Sequence, residues 1–156
     1  MKKLSLILIT FCMIFAVFTG CGRKTVPAEY DLAALATQLQ ESGAFSDFLS
    51  PVTKEIAASF YGFEDSDVTD CVVYCSTGAT TEEIALFKCS GEEAASKLKA
   101  NADKRIETQK TIYESYAPAE PPKLDDAIVK KDGLYVFYIV SANSEKAQKV
   151  IDSLNK

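Results

Sequence analysis

Cysteines are the most reactive side chains in this chain of 156 residues, and three of its five lie between positions 71 and 89. Cys71 and Cys75 stand four apart in Val68 to Ser76 (VTDCVVYCS), and Cys89 closes the next apolar run, Glu82 to Cys89 (EEIALFKC). Residues four apart on a strand share a face, so Cys71 and Cys75 point the same way. A chain reversal near Thr80 brings Cys89 opposite Cys71. Two states follow: a Cys71–Cys89 disulfide, or three buried thiols packing as small apolar groups, which is the preferred reading. Metal chemistry fits poorly, because Cys-x3-Cys is not a zinc-ribbon spacing and the chain has no histidine. The Cys-x-x-Cys-His run of haem attachment is absent as well. No metal and no cofactor is expected.

Carboxylates come next. Glu82-Glu83 and Asp125-Asp126 are adjacent pairs. Glycoside hydrolysis requires two carboxyls roughly 5–10 Å apart across a cleft, whereas neighbours on a strand point to opposite faces. Glu64, Asp65, Asp67 and Asp70 offer oxygen ligands, but without the central glycine of a calcium loop they read as solvated connector charges. Ser76, Ser90 and Ser141 have no histidine partner, and neither a Gly-x-Ser-x-Gly elbow nor a glycine-rich phosphate loop occurs. Tyr113, Tyr116, Tyr135 and Tyr138 suit either a ligand groove or a core with hydroxyls at the surface, and core is preferred. No catalytic residue is assigned.

Cys21 carries a different chemistry. Lys2 and Lys3 precede an apolar run from Leu4 to Phe18, and Phe18-Thr19-Gly20 leads into Cys21. That charged, apolar, small-residue order is a secretory signal. With a cysteine at the cleavage point it resembles a bacterial lipobox, although Phe18 stands where leucine is commonest. Residues 1–20 are therefore expected to be a lipoprotein signal peptide, Cys21 the lipidated residue, and 21–30 a tether. The apolar run is short of the ~20 residues that a spanning helix needs. At ~3.3 Å per residue the tether reaches roughly 30 Å, which keeps residues 31–156, read as a single domain, near the membrane.

Loss of residues 1–20 leaves 136 residues with 15 basic and 22 acidic side chains, a net charge of −7. One domain of that size buries a real core. The charge argues against nucleic acid, which needs clustered Lys and Arg, and against the domain lying flat on an anionic membrane.

The elements that must position these groups follow in order. Asp31 caps a helix with Leu32, Leu35 and Leu39 on one stripe, stopped by Gly43. Phe45, Phe48 and Leu49 add an apolar knot. Ser50-Pro51 reads as the start of a second helix carrying Ile56 and Phe60 and ending at Gly62. Strands Val68–Ser76 and Glu82–Cys89 form a hairpin. Ser90 and Glu93 form a capping box for a long helix with Ala95, Leu98, Ala102, Ile106, Tyr113 and Tyr116 on one stripe. Pro118, Pro121 and Pro122 end it. Asp125–Lys131 and Leu134–Val140 flank Asp132-Gly133, a type I′ hairpin signal that pairs Lys131 with Leu134 and Ile128 with Phe137. The unbroken apolar run Leu134–Val140 is expected to be a central strand. Asn143 or Ser144 caps a last helix. The expected fold is α+β, order ααββαββα, with a mainly antiparallel four-stranded sheet. The long helix covers one face and the terminal helices the other.

Glu83-Ile-Ala-Leu-Phe-Lys88, the charged helix through Gln109, Tyr113-Glu-Ser-Tyr116 and Gly133-Leu-Tyr-Val-Phe-Tyr138 together resemble an uncharacterised family of small lipoproteins from Gram-positive, Clostridia-like bacteria. The resemblance spans roughly Leu32 to Leu154. It implies an extracytoplasmic location and supplies no catalytic residues. The expected activity is binding, to an envelope protein or a cell-wall component, with the lipid at Cys21 as the membrane contact. The alternative is a cell-wall hydrolase with a carboxylate-based site. Oligomeric state is left open.

Overall fold

The computed structural model describes residues 29–154. The expected signal peptide, Cys21 and most of the 21–30 tether lie outside the described residues. Among the described residues, no helix is long and apolar enough to cross a membrane.

Helix α1 (Leu32–Glu41) begins where Asp31 Oδ1 accepts the Ala34 N–H at 2.9 Å, and its stripe of Leu32, Leu35, Ala36 and Leu39 is buried. The chain turns away through Gly43 at φ +70°. Strand β1 (Leu49–Val52) follows, and helix α2 (Lys54–Tyr61) is capped by Thr53. A 3-10 turn at Asp65–Asp67 leads into β2 (Val68–Ser76) and β3 (Glu83–Cys89). Then come the long helix α3 (Glu92–Tyr116), a short helix α4 (Pro121–Asp125), β4 (Ile128–Asp132), β5 (Tyr135–Val140) and α5 (Ser144–Ser153), capped by Asn143.

The fold is α+β, but the antiparallel sheet has five strands, in the order β1-β2-β3-β5-β4. The expected four-stranded sheet lacked β1. Leu49, Ser50, Pro51 and Val52 pair with Ser76, Cys75, Tyr74 and Val73, so Ser50-Pro51 is strand and helix α2 starts later, at Lys54. Proline has no N–H to donate and is accommodated on an edge strand, which is where Pro51 lies.

One cap and two registers also differ from expectation. Helix α3 starts at Gly91 without a side-chain cap, and Ser90 Oγ donates instead to the Asp67 carbonyl at 3.3 Å. The tip of the second hairpin is Gly133-Leu134, with Asp132 paired to Tyr135, Lys131 to Val136 and Ile128 to Ile139. Gly133 has φ +55°, and no non-glycine residue described has positive φ. A left-handed residue at the first turn position alone is not type I′. The slip is two residues, so every side chain keeps its expected face. In the first hairpin Cys71 pairs with Phe87, because the reversal centres on Ala79 and not on Thr80; a bulge between Val68 and Asp70 then leaves Cys89 paired with Val68.

Two cores flank the sheet. On one face Val73, Ala85, Phe87, Cys89, Val136, Tyr138 and Val140 pack against Ala57 and Tyr61 of α2 and Ala95, Leu98 and Ala102 of α3. On the other, Ile84, Leu86, Tyr135, Phe137 and Ile139 pack against α1 and α5. Strands β3 and β5 lie inside the sheet and are covered on both sides, which is why their sequences lack polar alternation.

Candidate functional site

One charged pair lies inside the α2–α3 face. Glu83 opens β3 and is 3% exposed. Its Oε2 accepts from Arg105 Nε at 3.0 Å and from Nη2 at 2.8 Å, and its Oε1 accepts the Tyr61 hydroxyl at 2.6 Å. Burial and the Glu83 charge push the Tyr61 phenol well above its ordinary range, so it remains a donor. The Arg105 guanidinium stacks on the rings of Phe60 at 4.7 Å and Tyr61 at 5.1 Å. Arginine suits this position because its planar fork both stacks and binds a carboxylate through two N–H groups.

Arg105 also floors a groove between α2 and α3, about 450 Å³ in volume, lined by Ser59, Phe60, Tyr61 and Gly62 on one side and Lys97, Asn101, Lys104, Arg105 and Thr108 on the other. Three cations and no carboxylate line it, on a chain with net negative charge. Asn101 Nδ2 donates to the Tyr61 and Gly62 carbonyls at 2.8 and 3.2 Å, satisfying the open end of α2 and fixing the spacing of the two walls. Helix α2 carries Ile56 and Phe60, and both are exposed; Ala57 and Tyr61 are its buried pair. A larger hollow of about 570 Å³ runs beside β4 and the start of α5. Its charged lining is Asp125, Asp126, Glu145 and Lys130, acidic like the rest of the chain.

A family model for a domain of unknown function, DUF4358, matches residues 42–141. The chain belongs to this family. The DUF4358 match takes in all five strands, α2, α3 and α4, and thus the whole groove with Glu83 behind it; α1 and α5 fall outside. No curated protein and no solved structure matches the chain.

At the opposite end of β3 from Cys89, the DUF4358 domain carries a second polar cluster. Glu82 has a fully buried side chain. Its Oε1 accepts from Ser46 Oγ and from Lys123 Nζ at 2.9 Å, and its Oε2 accepts the Ser46 and Asp47 N–H groups at 2.8 and 3.2 Å. Glu120 shares Lys123 at 3.0 Å and accepts from Thr81 N–H and Oγ1. Burial pushes the Glu82 carboxyl up, but Ser46, Lys123 and the two N–H groups outweigh it and hold the group below the ordinary carboxylate range. The cluster fastens the 46–47 loop to the β2–β3 turn.

The adjacent carboxylates Glu82 and Glu83 thus serve different networks. Asp125 pairs with Lys110 at 2.7 Å, and Asp126 ends α4. Of the acidic connector, Asp65 pairs with Lys54 and Asp67 with Lys97. No group of three His, Cys, Asp or Glu among the described residues is placed to hold a metal. Tyr113 is buried and donates to the Thr80 carbonyl at 2.7 Å, while Tyr116 is exposed. Tyr135 and Tyr138 are buried to their hydroxyl oxygens, which do not reach the surface.

Cys71, Cys75 and Cys89 are all free thiols on the α2–α3 face. Burial raises the pKa of each; the Glu83 charge adds to the rise at Cys75, and Cys89 is pushed up to about 11. Thiolate is the reactive form, so labelling of the native protein at pH 8 is expected to be slow at Cys75 and Cys89. Unfolding without reductant should release reactive thiols at all three positions. A single reactive position in the unfolded chain would mean that two of the sulfurs had been bridged.

Proposed function

We propose that this DUF4358 protein is an extracytoplasmic lipoprotein, anchored through Cys21, whose domain acts by binding an envelope protein or a cell-wall component without catalysis. The observation that carries the binding role is the cationic α2–α3 groove, a region of opposite charge on an acidic domain with exposed Phe60 at its edge. Its walls are fixed before any ligand arrives, which lowers the ordering cost of association. The hydrolase alternative is weaker for a chemical reason. A general acid needs a carboxyl held protonated near neutral pH. Glu82, which shares Lys123 with Glu120, is shifted the other way and has both oxygens committed.

Cross-linking of the protein in its own membranes, read by mass spectrometry, tests the binding role. One abundant partner linked through α2 or α3 is expected. Links scattered over all faces, in membranes whose other complexes cross-link cleanly, would count against it. For the anchor, Cys21→Ala is expected to move the protein from the membrane fraction into the medium or into an unprocessed precursor. A cleaved form that stays on the membrane would rule the lipid out.

A further inference from the structure

We infer that the α2–α3 groove takes an acidic segment of a partner protein, a carboxylate meeting Lys104 and the free edge of Arg105 while an apolar side chain covers Phe60 and Ile56. The inference deepens the binding-module reading and rests on it.

The charge requirement comes from which cations are left over. On α3, Lys97 pairs with Asp67, Lys99 with Asp103, Lys110 with Asp125 and Arg105 with Glu83. Lys104 is the remaining cation of the helix, and it has no ion-pair partner among the described residues. It is exposed and lines the groove. Arg105 uses Nε and Nη2 on a single oxygen of Glu83, and its Nη1 has no hydrogen-bond partner among the described residues. Five N–H donors in a fixed fork leave Arg105 with donors to spare after that pairing. Buried Glu83 and the rings of Phe60 and Tyr61 hold the fork in place, so a carboxylate that docks there meets a donor already oriented.

The apolar requirement chooses the class of partner. Phe60 is 41% exposed, and Ile56, one turn earlier on α2, is 47% exposed. A polyol phosphate chain of the cell wall would satisfy the cations and leave both side chains wet. A protein segment supplies carboxylates and aliphatic or aromatic groups at neighbouring positions. The groove is open along its length and of about 450 Å³, room for a few neighbouring side chains of an extended segment. A small molecule bound alone is normally enclosed over most of its surface. This groove offers no such enclosure.

The test uses the mature lipoprotein purified in detergent and two probes: a phage-displayed library of random 12-residue peptides, and a poly(glycerol phosphate) polymer. Selection is expected to enrich peptides that combine Asp or Glu with aliphatic or aromatic residues. Synthetic copies should lose about tenfold in affinity on Lys104→Glu, and lose affinity again on Phe60→Ser and in high salt. Lys104 is exposed and has no ion-pair partner among the described residues, so Lys104→Glu should melt with the wild type; Phe60→Ser also removes a ring stacked on Arg105, so its affinity is read below its own melting transition. Enriched peptides without acidic bias, or indifferent to Lys104→Glu, would overturn the inference. Binding of the polymer alone, sensitive to Lys104→Glu, would also overturn it but leave the binding-module reading standing. Failure of both probes, together with no cross-linked partner in native membranes, would remove both.

Discussion

Glu83→Ala is expected to destabilise the domain by about 3–5 kcal/mol, the range seen when one member of a buried ion pair is removed. For a domain of this size that is a fall in melting temperature of roughly 10 °C or more. The cost does not measure how much the pair stabilises the fold. It arises because Arg105, largely buried under Phe60 and Tyr61, keeps its charge and loses the carboxylate that two of its nitrogens contact, while the Tyr61 hydroxyl loses its acceptor. A cavity beneath α3 adds to it. The replacement that removes all three polar groups should behave differently. Glu83→Leu with Arg105→Met and Tyr61→Phe leaves nothing charged or unpaired behind, and buried pairs exchanged for apolar groups are often neutral in stability. Urea midpoints of the single and triple variants decide the matter. A triple variant within about 2 kcal/mol of wild type, beside a crippled single variant, would mean that the pair is retained to orient Arg105 in the groove. Equal losses would instead assign its role to the packing of α2 on α3.

Much of this architecture is legible in the sequence because it follows from periodicity and caps. The apolar run of β5 demanded cover on both faces, and Asp31 and Asn143 stand at the helix starts that their side-chain oxygens cap. What was illegible was short or depended on a distant partner. Strand β1 is four residues long, and Ser50-Pro51 is as good a helix start as it is an edge strand; only pairing with β2 decides between them. The first register differs because the reversal centres one residue before Thr80, which moves every pair by two, and a bulge beyond Asp70 adds one more shift. Exposure of Ile56 and Phe60 was also hidden, since apolar spacing on α2 identifies a stripe but not its orientation. Arg105 did leave a signal. Beyond Arg23 it is the sole arginine in a lysine-rich chain, beside Ile106 on the packed stripe, and Glu83 is the sole acid within β3. An arginine where lysine is the habit, and a carboxylate in an apolar strand, are what a buried pair looks like before folding.

Glu82→Gln is expected to cost about 2–3 kcal/mol at neutral pH, although it is nearly isosteric, because all of the Glu82 contacts are donors. Ser46 Oγ and Lys123 donate to one oxygen, and the Ser46 and Asp47 N–H groups to the other. A glutamine must turn its own NH2 toward one of these sets, and either choice sets donor against donor. The effect should also fade in acid. The folded-state pKa of Glu82 lies below its ordinary value of 4.5. Its contribution is therefore fully present above that value and is lost as pH falls through the depressed folded value. In that window a single carboxyl gives stability a slope of up to about 1.4 kcal/mol per pH unit. The wild type should lose stability more steeply than Glu82→Gln as pH falls below about 4.5, so that the two urea midpoints converge. An offset that stays constant through that range would show the cost to be packing, with no part played by the charge. Convergence would make Glu82 the group whose protonation lets go of Ser46 and Asp47, and the loop leading to exposed Phe48 would then loosen in acid before the sheet does.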